Sequence, residues 1–249
     1  MLVGLAAVFA VVNGANDGGS MLAAALKARG LRLLVSLGLL VVALVVVPLI
    51  IGTRVAETLT SGVGAADPAT QPWLMAVGVT AAMIVVAGLT AASLPTSLTL
   101  GVVGGIVGAG VGRGLPVAMD EVARVLLIGI AAPIVGGLLA MGLARVVAFV
   151  LALGDGARLS TLHRLGAVVQ AIAYASNDGQ KMLAVVAVTS LGVTVPTLIA
   201  VAALFAVGAV LGIRRAATTL GSQILRASPR EEVTAQLASS FAVLVSAML

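Results

Sequence analysis

The stretch NGANDGG, Asn13 to Gly19, decides how this chain is read. It sets two amides, a carboxylate and three glycines between an apolar run, residues 1–12, and a second one, MLAAAL (Met21 to Leu26). As helix, the first twelve residues rise about 18 Å at 1.5 Å each. That puts the motif near the middle of a bilayer. Irregular backbone survives at such depth only when buried in protein or lining a wet cavity, and a carboxylate there costs at least roughly 2.5–3.5 kcal/mol. A second stretch, YASNDGQKM (Tyr174 to Met182), repeats the pattern.

Composition agrees with a membrane setting. The chain has 249 residues, 61% hydrophobic and only 9% charged, with a mean hydropathy of +1.22. A soluble domain carries roughly 25% charge. The apolar runs are continuous, as in LRLLVSLGLLVVALVVVPLIIG (Leu31 to Gly52), rather than alternating as barrel strands do. The expected class is therefore an all-α integral membrane protein set in a lipid bilayer. Cysteine is absent and His163 is the single histidine, which argues against thiolate chemistry and His-based metal sites or triads. The net charge of +5 is read as orientation signal in short loops, with no nucleic-acid partner. Residues 1–12 resemble a signal-peptide core but lack a basic segment before them and a cleavage site after, so they read as half of a span.

The two motifs belong to a longer repeat. Asp178 follows Asp17 at an offset of 178 − 17 = 161, which also brings Asn16 onto Asn177, Gly18 onto Gly179, Met21 onto Met182 and Arg54 onto Arg215. A period this long marks a duplicated half rather than an array. Transporters are often built so, with broken helices at matching positions. If the segment around LPTSLTLG (Leu94 to Gly101) dips in and returns, the first half crosses three times, at 1–27, 33–53 and 124–153, and the second half is inverted. The expected organisation is then 1–153 (broken helix, span, re-entrant hairpin, long span) and 154–249, the second repeat. Basic residues favour one side: Lys27, Arg29, Arg32, Arg158, Arg164, Arg214, Arg215, Arg226 and Arg230 against Arg54, Arg113 and Arg124. The richer side is expected to be cytoplasmic and the N-terminus outside.

A broken helix frees N–H groups at one half-helix start and C=O groups at the other's end. The first suits an anion; the second, with Asp17, Asp178 and their neighbouring asparagines, suits sodium or a proton. The plainer reading makes both aspartates N-caps, but repetition and depth speak against it. In the hairpin, Pro95 stops a helix and Thr96, Ser97 and Thr99 put hydroxyls at the break, where they can hold a tetrahedral oxyanion; the competing reading bonds them back to their own helix. Lys181, whose counterpart is Ser20, either attracts the anion or pairs with Asp178 three residues earlier. Glu57 sits near a span end, and Gln170 reads as a buried contact between helices.

NGANDGG and YASNDGQKM resemble the paired GAND and HGANDGQK signatures of the inorganic phosphate transporter (PiT) family, and LPTSLTLG is similar to its hairpin tip. The resemblance runs in order over nearly the whole chain. It implies an inverted-repeat secondary transporter, not an enzyme, moving inorganic phosphate with sodium or protons across the plasma membrane, often as a homodimer and with no cofactor beyond the co-transported cation. By position it implies Asn16, Asp17, Asn177 and Asp178, with Ser97, as cation ligands. Thr96, Ser97, Thr99, Gln180, Lys181, Asp17 and Asp178 would form the phosphate site. Leu98, Leu100 and Tyr174 depart from the family pattern. Carriage of another oxyanion such as sulfate is the nearest rival. An intramembrane aspartic protease would use both carboxylates as a dyad, and a channel would use symmetric subunits; the motif context fits neither. The offset also predicts a second hairpin near position 255, beyond Leu249, so the chain is expected to be C-terminally truncated and a poor transporter alone.

Overall fold

The computed structural model describes residues 2–26, 31–52, 54–63, 69–92, 96–152, 157–218 and 228–248. Leu94 and Pro95 of the hairpin, and Lys27, Arg29 and Arg226 of the basic loops, lie outside these. The described residues are helical, with no strand. Helix α1 (Leu2–Asn13) runs through a turn at Gly14–Gly18 into α2 (Gly19–Ala25), followed by α3 (Leu33–Ile51) and the short α4 (Arg54–Glu57). Next come α5 (Gln71–Ala91), α6 (Leu98–Gly112) and the long α7 (Met119–Ala152). Helix α8 (Ala157–Tyr174) passes through a turn at Ala175–Gly179 into α9 (Gln180–Ala187), and α10 (Val195–Thr218) and α11 (Pro229–Met248) follow.

Five helical stretches are long and apolar enough to cross a membrane: Leu2–Ala25, Leu33–Ile51, Gln71–Leu89, Met119–Ala152 and Val195–Ala217. The chain is a multi-pass membrane protein. The helix bearing the second motif is less apolar because it packs inside the protein: every residue from Gln180 to Val186 is buried. Helix α6, with 15 residues, rises only about 22 Å, short of the ~30 Å hydrocarbon core. It returns against α5 through a glycine crossing, where a Cβ on Gly78 would lie 2.8 Å from the backbone nitrogen of Ile106.

The interruption expected at each motif takes the form of a π-helical turn, and neither helix unwinds. Asn13 and Gly19 flank the first turn at φ −61°, and Tyr174 and Gln180 flank the second at φ −64° and −70°. The Gly19 amide donates to the Gly14 carbonyl five residues back. The free amides of a half-helix start are thus not what this motif presents. A π-turn instead widens the helix locally, a device frequent at functional sites.

The motif glycines have a packing role. A Cβ on Gly14 would collide with the Phe205 carbonyl oxygen, and one on Gly18 would lie 2.5 Å from the Phe205 ring. From the facing side, a Cβ on Gly208 would strike the Val11 carbonyl, and one on Gly212 the Ala15 carbonyl. Helix α10 therefore lies backbone to backbone on the first motif, the close approach that small residues permit between membrane helices. The second motif uses the same device with α3: a Cβ on Gly179 would lie 2.7 Å from Pro48 Cγ and 3.4 Å from the Leu44 carbonyl. Gly179, Phe205 and Ala209 stand one repeat offset beyond Gly18, Leu44 and Pro48. Gly18 thus packs on Phe205 and Ala209, and Gly179 on Leu44 and Pro48.

Helix α11 begins where local sequence says it should. The Ser228 amide donates to Glu231 Oε2 at 2.6 Å and the Glu231 amide to Ser228 Oγ at 3.4 Å. This is a capping box with proline at the first helical position. Farther along, Gln236 Nε2 donates to Gln170 Oε1 at 2.8 Å, which ties α11 to α8 and makes Gln170 the buried interhelical contact its sequence position suggested.

Candidate functional site

The two motif turns come together. Lys181 Nζ donates to Asp178 Oδ1 at 2.7 Å and lies 3.7 Å from Asp17 Oδ2. The Asp178–Lys181 pair follows from helical spacing, since residues three apart share a face. Reaching Asp17 requires the fold. The two paired side chains are 3% exposed, whereas Asp17 is 27% exposed and opens on a cavity.

The hairpin supplies the third wall. Thr96 Oγ1 donates to Asn16 Oδ1 at 2.9 Å, and Asn16 Nδ2 donates to Asp17 Oδ1 at 2.8 Å. A chain of two hydrogen bonds therefore runs from the hairpin tip to the carboxylate and orients both. Asn16 lies close to the middle of the Leu2–Ala25 stretch, so Thr96 meets this helix near its centre. Ser97 caps α6, its oxygen accepting from the Leu100 amide at 3.3 Å; its own proton remains available to a ligand.

A cavity of about 190 Å³ is lined by Asp17, Asp178, Lys181, Asn177, Thr96, Ser97, Thr99 and Tyr174, with Leu98 and Val243. It is well above the roughly 10–15 Å³ needed by one water. It holds both chemistries: carboxylate and amide oxygens for a cation, and an ammonium with hydroxyls for an anion. An adjoining larger cavity of about 360 Å³ shares Ser97, Thr99, Asn177 and Val243 with it and adds Arg54, Thr58, Glu121, Arg124 and Ser246. Among the described residues, no group of three or more His, Asp or Glu gathers as a metal cluster.

Two sequence assignments shift. Gln180 does not line either cavity. It is fully buried and its Oε1 accepts from the Val55 amide at 2.7 Å, satisfying a free N–H at the start of α4. Thr96 lines the smaller cavity, but its proton is committed to Asn16, so toward an anion it offers no donor. The others, Asn16, Asp17, Asn177, Asp178, Ser97, Thr99 and Lys181, are gathered in and around one site. Sequence reasoning did not pick out Thr58, Glu121 or Ser246, since a single hydroxyl or a helix-end carboxylate has no distinctive local pattern. It also passed over Asn13, whose fully buried side-chain amide finds no partner among the described residues.

Polar side chains from two motifs and a hairpin thus meet between packed apolar helices. Residues 13–161 match the profile of the phosphate transporter family, and the chain belongs to that family. This match takes in the first motif and the hairpin; the second motif lies outside it. No curated protein matches the chain. Among solved structures it is similar to a sodium-dependent phosphate transporter, with 15% identity, a TM-score of 0.77, and coverage of 98% of this chain and 82% of that one. At that identity the likeness concerns the fold.

Proposed function

We propose that this protein carries inorganic phosphate across the membrane by symport with sodium or protons. One observation carries the reading: the carboxylates of two distant motifs and the hydroxyls of a hairpin tip line one small cavity. The oxygens of Asn16, Asp17 and Asn177 would hold the cation, beside the Asp178–Lys181 pair. Ser97 and Thr99 would face the phosphate, with Thr96 orienting Asn16. A cation bound beside Asp17 lowers the electrostatic cost of an adjacent anion, which is the physical basis of coupling. We read residues 1–153 and 154–249 as inverted halves; the matched glycine contacts on α3 and α10 support this. The basic loops support an external N-terminus, in the plasma membrane.

Uptake of labelled phosphate into proteoliposomes, under an imposed sodium gradient, an imposed proton gradient, or neither, tests the proposal. Stimulation by one gradient, uncompeted by sulfate, is the expected result. Competition by sulfate would move the substrate to another oxyanion, and uptake indifferent to both gradients would remove the coupling.

The hairpin contact yields a finer prediction. Thr96→Val removes a neutral hydrogen bond worth about 0.5–1.5 kcal/mol, so the half-saturating cation concentration should rise roughly fivefold, while Thr96→Ser should stay near wild type. A valine variant with unchanged cation dependence would show that the Asn16 orientation does not matter.

A further inference from the structure

We propose that Lys181 is a resident counter-ion, a built-in cation that neutralises Asp178 so that the site takes up its mobile cation at Asp17 alone. This rests on the reading of the smaller cavity as the coupled site. Three charged side chains line that cavity: Asp17, Asp178 and Lys181. Two carboxylates and one ammonium leave a single net negative charge. The ammonium is not shared evenly, being in hydrogen-bond contact with Asp178 at 2.7 Å and only in the neighbourhood of Asp17 at 3.7 Å.

The burial pattern agrees with the charge pattern. Asp178 and Lys181 are almost wholly enclosed, as a compensated pair can be. Asp17 is the one left partly open to the cavity. The duplication shows where the asymmetry entered. Ser20 occupies the position equivalent to Lys181, and its hydroxyl bonds back to the Asn16 carbonyl at 3.1 Å. The first motif thus carries a carboxylate without a counter-charge of its own, while the second carries both. A lysine used as a phosphate ligand would instead leave Asp178 unpaired each time the anion bound, at the cost of a buried lone charge.

Counting charges makes the idea testable. K181Q leaves two uncompensated carboxylates, so the apparent order of phosphate uptake in the coupling cation should rise by about one. K181R, which keeps the charge, should hold the wild-type order. D178N leaves no net charge and should lose cation stimulation. The double variant D178N/K181Q restores one net negative charge and strands none in the interior. It should therefore recover cation stimulation with the wild-type order, and it remains informative even if K181Q folds poorly. Cation titrations of labelled phosphate uptake in proteoliposomes read all four.

A K181Q that raises the half-saturating phosphate concentration without changing the cation order would overturn the proposal and make Lys181 a phosphate ligand. So would a double variant as insensitive to the cation as D178N. If the wild type shows no cation stimulation but K181Q acquires it, the symport reading falls while the counter-ion role stands. If neither responds, both fall.

Discussion

Replacing Asp17 with asparagine is expected to abolish cation-stimulated phosphate uptake while leaving the protein inserted and folded. Asparagine keeps the shape and an oxygen that can accept the bond from Asn16 Nδ2, now at 2.8 Å. Lys181 keeps its 2.7 Å partner, Asp178, so no buried charge is stranded. Folding should therefore survive, because stranding a charge, rather than losing a pair, is what costs several kcal/mol. What disappears is the carboxylate that opens on the cavity. A charge–charge contact at about 4 Å is worth roughly 4 kcal/mol at an effective dielectric of 20, so cation affinity should fall at least ~100-fold, and stimulated uptake should drop to background. Gradient-driven uptake compared at equal amounts of reconstituted protein reads this directly. A variant running at the wild-type rate would mean that the cation binds elsewhere.

The all-α membrane class and the meeting of the two Asn-Asp motifs were legible in sequence because each rests on a local signal. Apolar runs set span length, and paired Asn-Asp motifs at mid-depth are too costly to be incidental. The glycines beside them misled for a physical reason. A glycine within an apolar helix reads equally as a break or as a packing point, and the choice depends on what lies opposite. Here the partners of Gly14 and Gly18 are Phe205 and Ala209, 205 − 14 = 191 residues away, and no local pattern announces them. Gln180 is a similar case: its neighbours Asp178 and Lys181 face the cavity, but its own side chain accepts from the Val55 amide, 125 residues away. The start of α11 is the opposite case, since the Ser-Pro-Arg-Glu signature at Ser228–Glu231 was present and local.

The packing reading of the motif glycines makes the strongest structural prediction. Gly208→Val should destabilise the protein severely. Its Cβ alone would strike the Val11 carbonyl and approach the Ala15 nitrogen at 2.9 Å. These are backbone atoms of a membrane-spanning helix and cannot swing aside as a side-chain tip would. Either α10 or the first motif must move. Overpacking of this kind typically costs about 1–3 kcal/mol, and rigid backbone on both sides places this case at or above the upper end. The movement also reaches the site, because Ala15 adjoins Asn16 and Asp17, whose distances to Thr96 and Lys181 hold the cavity together. Thermal unfolding in nanodiscs should show a large drop in midpoint, with cation-stimulated uptake lost alongside. Gly104→Ala is the control: nothing lies within 4 Å of a Cβ there, and replacing a helical glycine with alanine gains roughly 0.5–1 kcal/mol. It should be neutral or slightly stabilising. If Gly208→Val unfolds no earlier than Gly104→Ala, then α10 does not lie backbone to backbone on the first motif, and the glycines of NGANDGG must serve the local backbone after all.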